Sequence, residues 1–109
     1  MKRTILILLF IGLAASSCYA RENAKREVKK GNLLYDEGRF KESLERYEKA
    51  SSAKPNSGIV NYNIGAASYK LNDHEKAVNF FNRALIDEEE ELKQQTSYNL
   101  ANSEYMLGI

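Results

Sequence analysis

"GRFKESLERYEKA" (Gly38 to Ala50) and "NDHEKAVNFFNRA" (Asn72 to Ala84) stand 34 residues apart and keep one rhythm with mostly different letters. In the first stretch Phe40, Leu44, Tyr47 and Ala50 recur at intervals of four and three. In the second, Ala77, Phe81 and Ala84 do the same. That spacing places apolar residues on one face of an α-helix. Each stretch also opens on a turn signal. Gly38 can take the left-handed conformation that follows a helix, and Asn72-Asp73 offers a helix stop and then an N-cap.

The register extends upstream. Gly31 falls on Gly65, Tyr35 on Tyr69, Phe40 on His74, Ser43 on Ala77 and Leu44 on Val78. The matched positions are small or aromatic, whereas charged positions exchange freely (Lys41 for Glu75, Glu42 for Lys76). Packing positions are held and solvent positions drift. Val28, Leu34 and Tyr35 give the first half of one unit a helical pattern, as Ile59, Tyr62, Gly65 and Tyr69 do in the other. Pro55-Asn56-Ser57 ends one helix and is expected to cap the next. The pattern predicts helix–turn–helix, twice. Glycine inside a helix costs about 1 kcal/mol relative to alanine. Gly31 and Gly65 therefore predict close approach of a second helix, with Tyr47 and Phe81 filling the space between neighbouring pairs.

A third unit begins at the C-terminal end. "YNLANSEYMLG" (Tyr98 to Gly108) aligns with "YNIGAASYKLN" (Tyr62 to Asn72), now 36 residues on. The extra two residues fall near Asp87 to Glu91, five consecutive acids. This run lacks the spaced oxygen ligands and glycine turn of a calcium loop. Carboxylates at a helix start are favourable with its dipole, so the run reads as the start of a helix. The expected division is unit one over 24–57, unit two over 58–91 and a first helix of a partial or capping third unit over 92–109. That last helix carries Tyr98, Leu100, Tyr105, Met106, Leu107 and Ile109, apolar on more than one side. Further helices or a partner are expected to cover it.

With two units in register, the sequence resembles the tetratricopeptide repeat family, whose repeat is also 34 residues. Against the pattern W-x2-L-G-x2-Y…A-x3-F…P, Gly31, Tyr47 and Pro55 fit in unit one, with Leu34 for Tyr and Ser43 for Ala. Ile64, Gly65, Ala77 and Phe81 fit in unit two. Glu27, Lys30, Asn61, Ser68 and Glu89 depart from it. The longer third spacing with "YNLAN" is also similar to repeat proteins of bacterial aerotolerance operons. The resemblance implies an all-α fold, a right-handed superhelical stack of antiparallel helix pairs, with first helices lining a concave face. It implies a protein or peptide partner held by Asn32, Tyr35, Tyr62, Asn63, Tyr69, Tyr98, Asn99 and Asn102. Of the tyrosines, Tyr62 and Tyr98 are expected to be the most exposed. Asn32 and Asn63 occupy the asparagine positions of the family's carboxylate clamp. Val28, Gln95 and Asn99 stand where its cations belong, so the clamp lacks its charge.

No constellation for chemistry is visible. His74 is the sole histidine and reads as an exposed turn residue beside Asp73 and Glu75, too few ligands for a metal site. There is no G-x-S-x-G setting and no glycine-rich phosphate loop. The expectation is no enzyme, no catalytic residue, no cofactor and no metal.

The N-terminus predicts export. A basic Met1-Lys2-Arg3, an apolar run from Ile5 to Ala15 and a small, polar "SSCYA" form a signal-peptide pattern over residues 1–20. The run is shorter than the roughly 20 residues a membrane span requires, so no integral span is expected after processing. Cys18-Tyr19-Ala20 places cleavage before Arg21. Alternatively "AASSC" resembles a lipobox, with Ala15 where an aliphatic residue is usual, and Cys18 would carry a lipid anchor. A periplasmic or envelope-tethered location follows from either. Removing residues 1–20 leaves 14 basic against 15 acidic residues, a net charge of −1, which excludes a broad nucleic-acid-binding field. A different class, a carbohydrate or cell-wall module using the tyrosine ladder, is the alternative.

Overall fold

The computed structural model describes the backbone of residues 2–86 and 90–109 and the side chains of residues 15–86 and 91–109. The side chains of residues 1–14, hence most of the expected signal segment, and most of the acidic run lie outside the described residues. Among the described residues five helices follow one another: α1 Lys2–Asp36, α2 Phe40–Ala53, α3 Gly58–Lys70, α4 His74–Ala84 and α5 Glu90–Leu107. The fold is an all-α stack of antiparallel helix pairs. α1 packs on α2 and α3 on α4, while α2 meets α3, α4 meets α5 and α3 touches α5. α1 runs unbroken through Ala20, the expected processing point.

The turns repeat with the sequence. Gly38 has φ 75°; its N–H donates to the Tyr35 carbonyl at 2.9 Å, and the Arg39 N–H reaches the Leu34 carbonyl at 2.9 Å. These paired bonds satisfy carbonyls that a helix end leaves open. Asn72 (φ 62°) and Asp73 make the same two bonds to Tyr69 and Ser68, at 3.0 and 2.9 Å. Gly108 (φ 76°) and Ile109 make them again to Tyr105 and Glu104, both at 3.0 Å. α1, α3 and α5 thus end alike. Asp73 also caps α4, its carboxylate accepting from the Lys76 N–H at 3.3 Å. Ser57 differs from expectation. It holds the extended N-cap conformation, but only its carbonyl is used, accepting from the Asn61 N–H at 2.9 Å; its side chain makes no capping bond.

The packing follows the small-against-ring logic of the sequence, with one correction. Tyr47 and Phe81 lie over the glycine of their own pair. A Cβ on Gly31 would stand 2.5 Å from Tyr47 Cε1, and one on Gly65 would stand 2.7 Å from Phe81 Cδ1. The missing side chain is what lets the facing ring seat there. Tyr47 then also meets the next pair, sharing the core with Ala50, Val60, Ile64 and Ala67. Phe81, Ala77 and Ala84 are fully buried on α4. Burying a phenylalanine contributes about 1.5–3 kcal/mol. Buried hydroxyls are satisfied by backbone carbonyls: Ser43 crosses to Gly31 at 2.7 Å, and Ser68, Thr96 and Ser103 bond the preceding turn of their own helices. Glu27 stands where the family pattern has a tryptophan. It is buried, with its carboxylate 3.4 Å from Arg46 on α2 and 3.9 Å from Lys30.

Candidate functional site

The first helices of the two complete pairs enclose a polar recess of about 330 Å³. α1 supplies Asn32, Tyr35 and Asp36, one helical face at intervals of three and four; α3 supplies Tyr62, Asn63 and Ala66 in the same way. Tyr47 reaches it from α2. Four expected binding residues, Asn32, Tyr35, Tyr62 and Asn63, therefore converge in one place.

Their side chains are not equally available. The Tyr47 hydroxyl donates to Asn32 Oδ1 at 2.7 Å, so half of that amide is committed. Asn99 on α5 donates through Nδ2 to the Tyr62 hydroxyl at 2.9 Å. Tyr62 is accordingly half-buried rather than open, its ring also tilted against Phe81 at 5.7 Å. The expectation that Tyr62 is among the most exposed tyrosines is corrected: a helix of the next pair covers it. Asn63 lines the recess half-buried, with no side-chain hydrogen-bond partner among the described residues. It is the amide of the recess with both its oxygen and its nitrogen left for a ligand, beside the free nitrogen of Asn32.

Burial raises the Tyr35 phenol above its ordinary value, reinforced by Tyr62, Tyr47 and the Asp36 carboxylate. Burial raises Tyr47 as well, with the neighbouring Ser43 hydroxyl opposing and Asp36 adding. Both phenols keep their protons at neutral pH. The recess thus presents hydroxyl donors, one amide and one carboxylate, the set that pairs with an extended peptide backbone.

The remaining expected residues lie elsewhere. Tyr69 packs edge-on against His74 at 5.1 Å, away from the recess. Tyr98 is 70% exposed on α5, and Asn102 is half-buried on the same helix. His74 departs from the open turn residue expected. It begins α4 half-buried, and its Nδ1 is buried without a hydrogen-bond partner. Its place matches that of Phe40, which meets Tyr35 edge-on at the same 5.1 Å. Cys18 is exposed on α1. Among the described residues no group of three His, Cys, Asp or Glu side chains is placed to hold a metal, and no helix is long and apolar enough to cross a membrane. Sequence reasoning did not bring Tyr47 into the recess. The available signal was joint change between units: Tyr47 with Asn32 becomes Phe81 with Ala66, so the hydroxyl and its amide partner disappear together.

Stacked antiparallel helix pairs of this kind define a helical-repeat fold. Residues 31–72 match the family described as TPR repeat, and residues 60–85 match the one described as Tetratricopeptide repeat. The chain belongs to the tetratricopeptide repeat family, and its repeats point to protein–protein interaction. No curated protein matches it.

Proposed function

We propose that the chain is an exported scaffold that binds a protein or peptide segment on the inner face of α1 and α3, in a bacterial envelope complex. The observation that carries this reading is the convergence of Asn32, Tyr35, Tyr62 and Asn63 beside Asp36, with the Asn63 amide left uncommitted. Tyrosine contributes disproportionately at interfaces because a large ring carries a polar tip. Export rests on the basic start, short apolar run and small residues that precede Arg21. Lipid attachment at Cys18 is the alternative end-point of the same signal, giving a tether in place of a free periplasmic subunit. The "YNLAN" likeness to aerotolerance-operon repeat proteins supports an envelope setting.

A photo-crosslinking residue at position 63 tests the face. It is expected to capture one protein partner in the producing cell, and the same residue at the outward-facing Asn79 is not. Equal capture from both positions, or none from 63, sinks the assignment. The mass of the mature N-terminus reads the processing: Arg21 as first residue supports free export, and a diacylglyceryl Cys18 supports the tether.

A further inference from the structure

A second recess of about 330 Å³ continues the inner face toward the start of α1, meeting the polar recess at Asn32. Its floor is apolar, made by Ala24 and Val28 of α1 with Ile59 and Val60 of α3. Its rim is cationic: Arg21, Lys25 and Lys29 from α1, and Lys54 from the turn after α2. The three α1 cations recur every fourth residue, so they stand about 6 Å apart along one side. Segment 21–30 holds five bases and two acids. One of those acids, Glu27, is buried against Arg46 and Lys30, and the other, Glu22, meets Lys25 only at 4.0 Å between exposed side chains. Arg21, Lys29 and Lys54 have no ion-pair partner among the described residues.

We infer that this notch binds an acidic peptide that inserts one aliphatic side chain between its carboxylates. The inference rests on the reading of the inner face as the binding face, and adds to it the chemistry of the partner. Charge complementarity selects the occupant. Same-side residues of an extended strand repeat at about 6.6–6.8 Å, close to the spacing of the α1 cations. An extended acidic segment can therefore place successive carboxylates opposite Arg21, Lys25 and Lys29 while an aliphatic group covers Val28 and Ile59. The cations lie outside the carboxylate-clamp positions held by Val28, Gln95 and Asn99, and a row of three on α1 matches a row of side-chain carboxylates better than one chain terminus.

The test is fluorescence anisotropy of the full chain with a dye-labelled, end-blocked peptide of four glutamates flanking one leucine, against the same peptide with glutamines. The glutamate peptide is expected to bind at least about tenfold tighter, with the advantage shrinking as salt rises. Lys25→Glu with Lys29→Glu, both at exposed positions, is expected to abolish the difference while circular dichroism stays unchanged. Lys54→Glu, off the helix, is expected to weaken it as well. Equal binding of the two peptides, or full binding by the reversed variant, overturns the inference. Sedimentation of the chain alone covers the other occupant: a salt-sensitive dimer lost in the reversed variant assigns the notch to a second copy and overturns a separate partner. Capture from position 63 without acidic-peptide binding removes this inference and leaves the binding face standing. Acidic-peptide binding without capture removes the polar recess.

Discussion

The Tyr47 hydroxyl donates to Asn32 Oδ1 at 2.7 Å across the α1–α2 pair, and 34 residues on both partners are gone, replaced by Phe81 and Ala66. The two units keep the ring over the glycine and differ only in whether its tip carries a bond. A coupled pair should show as non-additivity. Tyr47→Phe and Asn32→Ala are each expected to cost about 1 kcal/mol, and the double variant clearly less than their sum. Urea unfolding of the four proteins of the cycle measures it. Strict additivity would mean the bond carries no stability.

Gly65 faces a sharper conflict. Alanine should raise helix propensity by about 1 kcal/mol. Its Cβ would stand 2.7 Å from Phe81 Cδ1, inside contact distance of a fully buried ring. Overpacking of that kind costs about 1–3 kcal/mol, so the sterics win and Gly65→Ala is expected to destabilise. Trimming the ring should return part of the loss: Gly65→Ala with Phe81→Leu is expected to cost less than the sum of the two single changes. A melting curve that rises for Gly65→Ala would contradict the packing.

Gly38 tests backbone conformation without packing. Nothing lies within 4 Å of a Cβ placed there, yet φ is 75°. Unit two fills the same place with Asn72 at φ 62°. Asparagine tolerates the left-handed region better than other non-glycine residues. Gly38→Asn is therefore expected to be nearly silent in thermal melts, and Gly38→Ala to cost about 1 kcal/mol.

Tyr35 and Tyr47 set an alkaline limit on stability. Burial raises both phenols above 10.0, so above that pH the unfolded chain releases protons that the folded chain retains. Stability falls wherever the folded state binds more protons as pH rises. The contribution is whole below pH 10.0 and declines through the raised folded values. Tyr47→Phe removes one of the two groups. Its stability, measured by urea midpoint, should fall less between pH 9 and 11 than that of the unaltered chain. Parallel curves for the two proteins would show that Tyr47 ionises as freely folded as unfolded.

How far these features were legible in the sequence depended on whether they repeat. The small residues Gly31 and Gly65 and the rings of Tyr47 and Phe81 could be read as packing positions because both units keep them, but the seating of each ring on the glycine of its own pair could not, since spacing along the chain does not say which neighbour a ring meets. The turn at Gly38 and Asn72 could be read because only a few residue types enter the left-handed region. Features that join one pair to the next left no periodic trace. Tyr62 looked open because its letter and helical position match those of Tyr98, which is 70% exposed. What closes Tyr62 is the Asn99 amide, 37 residues away, and no spacing within a unit encodes that. The notch rim was hidden similarly, since Lys54 comes from an inter-unit turn and joins α1 only once the pairs stack.

His74 is the position where the polar letter misleads most. The sequence places it in a turn, but the fold gives it the slot of Phe40: Tyr35 meets Phe40 edge-on at 5.1 Å, and Tyr69 meets His74 at 5.1 Å. Phe40 buries only carbon there. His74 buries Nδ1 with no partner, and leaving such an atom unbonded costs about 1–3 kcal/mol. The edge-to-face contact needs only a ring, so phenylalanine keeps it and removes the orphaned nitrogen. His74→Phe is expected to stabilise the chain by about 1 kcal/mol, raising the melting midpoint by about 4–8 °C for a domain of this size. His74→Ala, which removes the nitrogen and the ring together, is expected to destabilise. If His74→Phe melts at or below the unaltered chain, the nitrogen has a role that the ring contact alone does not supply.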